Sequence, residues 1–434
     1  MENLSRKFRQ FIIPSMISSV ILGTFSIIDG MFIGNRIGDI GLAAINFAYP
    51  VTAFIQSVGF GLGTAGAIMM SIALGKGEDE KKYISNSYIA FFASILIMIP
   101  LFLILNPILL SLFGASGETK EEALTYLNTI VYSTAFHVLA QGLVPIVRNK
   151  GYNKIVMYAI ILGLVVNLFL DWLFIYPLNL SLFGAALATN IAQVTTTIIC
   201  VIALFLKPFR IKFNFDFKIC MRILRYSFSP FGVSFATNIV LILINKACSI
   251  YANDKAVAAY TATAYITFIV QRLIQGVGDG VQPLLSYAKG ENNTNSLRNY
   301  LKKSLIMGII ISIISTFASI ILNKYLGKIF GLSDGALLYF KDAIIIFAIS
   351  FIGQAITRIS MSYFYSQEND LYSLIIVYGE PLLVLLTCFW LPNIFGINGI
   401  WLSIPITHYI LSIISVILII KDKKKNKLNI NFNA

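Results

Sequence analysis

The residues of this chain best suited to chemistry are acids standing inside apolar runs. Asp29 is the only ionisable residue between Phe11 and Gly34, in FIIPSMISSVILGTFSIIDGMFIG. A charged side chain at the centre of a bilayer costs at least ~2.5–3.5 kcal/mol. One substitution removes that cost, so a retained acid marks a working site, most often an ion or proton relay. Asp171, Asp279 and Glu380 stand in similar surroundings, as do Arg272 and Arg358. For each, the alternative is an internal ion pair or a water-lined position without a role. Arg272 and Asp279 are seven residues apart, two helical turns, so they share a face and can pair directly or through water. Asn167 and Asp171 are four apart, again on one face. An amide beside a carboxylate suits proton or cation exchange, because burial disfavours the charged form while a donor or cation favours it. If Asp29 lies near Asp171 the two can share a proton, since adjacent carboxylates resist double ionisation.

The elements that position these groups follow from composition. The chain has 434 residues, 57% hydrophobic and 12% charged, against ~25% charged for a typical soluble protein. Twelve apolar stretches are each long enough to cross ~30 Å of hydrocarbon: 10–34, 43–74, 85–113, 122–147, 155–177, 182–206, 227–250, 257–288, 300–326, 337–363, 372–393 and 396–420. The expected class is therefore an all-α integral membrane protein. The first stretch is too long for a signal-peptide core and lacks a following small-residue cleavage site, so it reads as a retained helix. The net charge of +13 is not a nucleic-acid signal, because the Lys and Arg residues alternate between rich and poor loops. Arg6, Lys7 and Arg9 precede the first stretch; Lys76, Lys81 and Lys82 follow the second; Arg148, Lys150 and Lys154 follow the fourth. Lys207 to Arg225 follow the sixth, Lys289 to Lys303 the eighth, and Lys421 to Lys427 the last. Positive loops face the cytoplasm, which puts both termini there and requires an even number of spans.

An internal repeat divides the chain. Residues 39–75 shifted by 215 meet 254–290 with ten identities in 37 ungapped positions, among them Asp39/Asp254, Gln56/Gln271, Gly63/Gly278 and Gly75/Gly290. Gln141 and Gln354 occupy similar places in the fourth stretch of each half. The offset spans about six helices, an even number, so the copies share one orientation, as in transporters built from parallel repeats. The expected division is a six-helix lobe over 1–206, a cytoplasmic linker over 207–226, a second lobe over 227–420 and a basic tail over 421–434. The linker alternates apolar and basic residues, which suits either a segment lying on the inner membrane surface or a plain connection. No GxxxxGK[ST] loop occurs, so pumping would draw on an ion gradient. Cys200, Cys220, Cys248 and Cys388 show no metal spacing, and His137 and His408 are isolated; these six read as structural, and no resident cofactor is expected.

With these residues in view, the chain resembles the MATE (multidrug and toxic compound extrusion) family, particularly its MepA-like bacterial branch. Ile28-Asp29-Gly30 with Ile33-Gly34 is similar to the family's first-helix acid motif, and Asn167-Leu-Phe-Leu-Asp171 to its fifth-helix Asn-x-x-x-Asp. Gly184-Ala-Ala-Leu-Ala-Thr189 resembles its sixth-helix pattern, and Gln275-Gly276-Val-Gly-Asp279-Gly280-Val-Gln282-Pro283-Leu284 the eighth-helix signature of the branch. The resemblance implies twelve helices in two pseudo-symmetric six-helix bundles, a V-shaped outward-open state, and antiport in which protons or sodium enter while a lipophilic, cationic drug leaves. It places the coupling site at Asp29, Asn167, Asp171 and Thr189. Some members carry a seventh-helix acid eight residues after its proline; here that position is Asn238, which argues against a C-terminal sodium site of that kind.

Polar groups of Tyr and Gln inside apolar runs need partners, so Tyr49, Gln56, Gln141, Tyr260, Gln271 and Gln275 are candidate substrate contacts. A chain with 33 Phe, 21 Tyr and 10 Met offers the adaptable surfaces that favour promiscuous recognition, and ring faces attract cations. Glu380, in the repeat counterpart of the fifth helix, is a candidate counter-charge. Small-molecule drugs and the lipid bilayer are the expected partners, with no nucleic acid and no obligate protein partner, and the bacterial cell membrane is the expected location. A lipid-linked oligosaccharide flippase of the same superfamily is the main alternative; four membrane acids against two arginines disfavour its anionic substrate. An intramembrane enzyme lacks any Ser/His pairing, His cluster or HExxH pattern. A passive channel is disfavoured by the asymmetry of the halves, since the repeat partners of Asp29, Asn167 and Asp171 are Ile244, Glu380 and Val384.

Overall fold

A computed structural model of the chain describes residues 2–205, 215–252, 254–329 and 332–431. The described residues form fifteen helices and no strand. In chain order these are α1 (Glu2–Arg36), α2 (Asp39–Lys76), α3 (Lys81–Leu112), α4 (Gly117–Tyr132), α5 (Thr134–Asn149), α6 (Asn153–Ile175) and α7 (Ser181–Phe205). There follow α8 (Phe217–Tyr251), α9 (Asp254–Gly290), α10 (Thr294–Ile329), α11 (Asp334–Ile349), α12 (Phe351–Ser366), α13 (Asp370–Trp390), the single turn α14 (Pro392–Phe395) and α15 (Ile397–Asn431). Ten segments are long and apolar enough to cross a membrane unaided, and two bent pairs, α4–α5 and α11–α12, complete the expected twelve spans.

The bends are a finding the apolar pattern did not foretell, since the fourth and tenth stretches read as continuous. The pairs turn by 60° and 44°, at Ser133 and Ser350. At both serines the backbone N–H reaches back three residues, to Ile130 O at 3.0 Å and to Phe347 O at 2.9 Å. The Ser350 hydroxyl donates to the same Phe347 carbonyl at 2.6 Å. A side chain that enters the i→i−4 ladder is a known cause of kinks. The two breaks fall in the fourth span of each half, which extends the repeat beyond its matched residues.

The chain forms two compact units, Met1–Phe235 with Ser286–Thr294, and Ala236–Leu285 with Asn295–Ala434. In the first, α2 is the central helix: 78% of its apolar window is buried, against 22% for α3. Gly75 and Gly290, identical across the repeat, meet here. A Cβ on Gly75 would come within 2.9 Å of Gly290 Cα, and one on Gly290 would strike the carbonyl of Ile72. Only glycine permits that backbone approach. Of the expected linker, Lys207, Arg210 and Lys212 lie outside the described residues, as do 432–434 of the tail. Residues 217–226 are the first turns of α8. Asp216 caps them, its carboxylate accepting from Lys218 N at 2.9 Å and Ile219 N at 3.2 Å.

The second unit closes around Tyr260, which is buried against Trp401 and Phe347 with ring centroids 6.3 and 6.0 Å away. Its α10 buries only 17% of its apolar window, which puts it at the periphery, as α3 is in the first unit.

Candidate functional site

In the first unit, α1, α6 and α7 bring four polar residues into one apolar core. Asp171 and Asn167 on α6 have no solvent exposure, and Thr189 on α7 is 4% exposed. Asp29 on α1 is half-buried, with Oδ1 fully enclosed. Asp29 and Asp171 lie within electrostatic reach of each other, and two close carboxyl groups resist double ionisation. Asn167 lies against Asp171 one turn earlier. Beyond these close approaches, Asp29 Oδ1, both carboxylate oxygens of Asp171, both amide atoms of Asn167 and Thr189 Oγ1 lack a well-formed hydrogen bond within the chain. Buried polar groups are seldom left so. Six such atoms in one core, all but one of them oxygen, match the coordination wishes of a proton or a hard cation.

Tyr126 on α4 is a member of this cluster that sequence reasoning missed. It is 5% exposed, lies beside Thr189 and within the electrostatic reach of Asp29, Asp171 and Tyr49. Its only signal was a phenol in the fourth apolar stretch, where a polar tip needs company. His137, expected to be structural, ties three helices together. Its Nε2 is 2.9 Å from Asn190 Oδ1 and its Nδ1 3.5 Å from Gln56 Nε2, while Asn190 Nδ2 donates to Thr129 O at 2.9 Å. Gln56, a candidate substrate contact, thus has a partner in its own unit. Tyr49 is 39% exposed and Gln141 half-buried.

The second unit holds a different cluster. Arg358 on α12 and Glu380 on α13 are 4% and 3% exposed. Arg358 Nη2 lies 3.1 Å from Glu380 Oε2 and 3.2 Å from Oε1, and it also donates to Thr237 Oγ1 on α8 at 3.3 Å. His408 Nε2 on α15 is 3.8 Å from Glu380 Oε1. The internal ion pair, the alternative reading for both charged residues, is the geometry observed. Any substrate cation at Glu380 would have to compete with Arg358. Gln275 donates to Asp279 Oδ1 at 2.8 Å, and the Arg272 guanidinium lies 4.7 Å from the Phe268 ring centroid. Gln271 is half-buried, whereas Tyr260 is deep in the core of this unit.

Comparison with known proteins places this geometry in context. The MatE family pattern matches residues 14–173 and 230–390, once in each half of the chain. The multidrug export protein MepA of Staphylococcus saprophyticus is 26% identical over 315 residues, 71% of this chain and 68% of its own. MepA of Staphylococcus haemolyticus is 27% identical over 328 residues, 73% and 70% of the two chains. Among solved structures, an outward-facing multidrug resistance MATE family transporter of the MOP superfamily superposes with a TM-score of 0.91 at 20% identity, covering 98% of this chain and 97% of its own. A MOP superfamily transporter from Pyrococcus furiosus, described as having a binding pocket of reverse polarity, has the same score, identity and coverage.

Proposed function

The chain belongs to the MatE family, and on that premise we propose that it is an ion-coupled antiporter that exports lipophilic cations by alternating access. Its coupling ion, proton or sodium, binds at Asp29, Asn167, Asp171 and Thr189, with Tyr126 bordering the site. The observation that carries this reading is the pair of carboxyl groups within electrostatic reach of each other inside an apolar core, with further buried oxygens left for an ion. A proton or sodium ion there neutralises charge that burial otherwise penalises. Loading and release at such a site is how an ion gradient performs work. The MepA relatives, named as multidrug export proteins, support a drug as cargo.

We assign substrate contact first to Tyr49, Gln141, Gln271 and Gln275, which keep accessible surface. Gln56, Tyr260 and Glu380 would contribute only after leaving their present partners. A cell-membrane location with both termini cytoplasmic, and lobes over 1–206 and 227–420, complete the proposal.

A lipid-linked oligosaccharide flippase is the second reading. The relative with reversed pocket polarity makes it a real competitor, since one fold then serves pockets of either polarity. The charges favour export. With Glu380 matched by Arg358, the interior retains Asp29, Asp171 and Asp279 against Arg272, which suits a cation. Purified protein in liposomes loaded with a fluorescent lipophilic cation separates the readings. A proton gradient without sodium, then a sodium gradient without a pH difference, should identify one ion that drives dye movement. No movement under either gradient rejects the export reading for this dye class.

A further inference from the structure

Glu380 lies between two potential counter-charges, Arg358 and His408, and satisfies only one of them. Arg358 Nη2 lies within reach of both Glu380 oxygens and of Thr237 Oγ1. Two hydrogens on one nitrogen cannot serve three acceptors at full strength. His408 approaches from the opposite helix, with Nε2 3.8 Å from Oε1, about 1 Å beyond a hydrogen bond. Its other ring nitrogen, Nδ1, is buried with no hydrogen-bond partner. The approach is built into the backbone: a Cβ on Gly353 of α12 would come within 3.0–3.1 Å of His408 O and Cβ. Among the described residues, the charged groups acting on His408 are Glu380 from α13 and Arg358 from α12; no charged side chain of α11, α14 or α15 itself does so.

A buried carboxylate needs one counter-charge and gains little from two, because each extra buried charge carries its own desolvation cost. We propose that Glu380 and His408 form a second proton-binding site, in the C-terminal unit, that loads when Arg358 withdraws. With Arg358 engaged, His408 stays neutral. When Arg358 moves off, a proton on His408 Nε2 replaces it and donates to Glu380 Oε1, keeping the cluster neutral. Arg358 and the proton thus exclude each other. Thr237, already in contact with Nη2, is an acceptor to which the guanidinium can retreat. The inference goes beyond the export reading and does not depend on it.

The chain has two histidines, so ¹⁵N-histidine NMR of the full-length protein resolves each ring, with His408→Asn giving the assignment. At pH 7, His408 is expected to be neutral in the wild type, protonated in Arg358→Gln, and neutral again in Arg358→Gln/Glu380→Gln. Unchanged His137 signals, set by Asn190 and Gln56 in the other unit, report an intact fold there. A neutral His408 in folded Arg358→Gln at pH 7 overturns the proposal. A second arm leaves Arg358 in place: protonating His408 should take at least tenfold more acid in Glu380→Gln than in the wild type. Equal titration of the two proteins also overturns it.

Discussion

The two halves of this chain descend from one repeat, yet they treat buried charge in opposite ways. The N-terminal unit sets two carboxyl groups against each other and surrounds them with polar atoms that find no donor or acceptor of good geometry. The C-terminal unit answers its carboxylate, Glu380, with an internal guanidinium. On the proposed reading, the first arrangement is completed by an ion from outside. The second supplies its own. Repeat-related helices therefore supply the scaffold in each half, and the two halves differ in which side chains occupy equivalent turns of α6 and α13.

The largest break in this comparison comes from removing one acid of each cluster. Asp171→Asn should abolish gradient-driven export while leaving thermal stability equal or higher, because it removes one of two buried carboxyl groups that oppose each other's ionisation. Glu380→Gln should do the reverse to stability: stranding the Arg358 charge costs about 3–5 kcal/mol, read as a lowered thermal midpoint. Arg358→Gln/Glu380→Gln should recover most of that loss, since removing both partners of a buried pair is often close to neutral. If Asp171→Asn is the more destabilising of the two acids, the assignment of paired and unpaired carboxylates is reversed.

A smaller effect sharpens the architecture. Gly290→Ala forces a methyl group against Ile72 O and the Gly75 backbone, and overpacking of this kind costs about 1–3 kcal/mol. A variant as stable as wild type would contradict the close contact of the two repeat glycines. The smallest effect concerns Tyr126. Tyr126→Phe removes one buried hydroxyl, worth about 0.5–1.5 kcal/mol, and should slow transport a few-fold with the coupling ion unchanged. Wild-type transport kinetics would remove Tyr126 from the site.

Much of this is legible in the sequence. The twelve spans follow from apolar length, and Asp29, Asn167 and Asp171 stood out because a polar residue in an apolar run has few innocent explanations. Their meeting with Thr189 rested on resemblance, since spacing along separate helices carries no distance information. The bends at Ser133 and Ser350 were hidden because neither proline nor glycine stands at them; each shows only as a backbone N–H that turns to an i−3 carbonyl. The pairing of Arg358 with Glu380 rather than with a ligand is a tertiary fact, as is the approach of His408. Tyr126 escaped notice because a lone tyrosine in a span looks the same whether it borders an ion site or lipid.

The central claim is that the Asp29–Asp171 pair carries the ion exchanged for cargo. The most direct test counts ions displaced by cargo in purified protein. A lipophilic cation is added in weakly buffered, sodium-free solution with a pH indicator, and again with sodium present and a sodium-sensitive reporter. Stoichiometric release of a proton or of sodium is expected from the wild type, and its loss in Asp29→Asn/Asp171→Asn while the cation still binds. Undiminished release from the double variant would place the exchanged ion elsewhere.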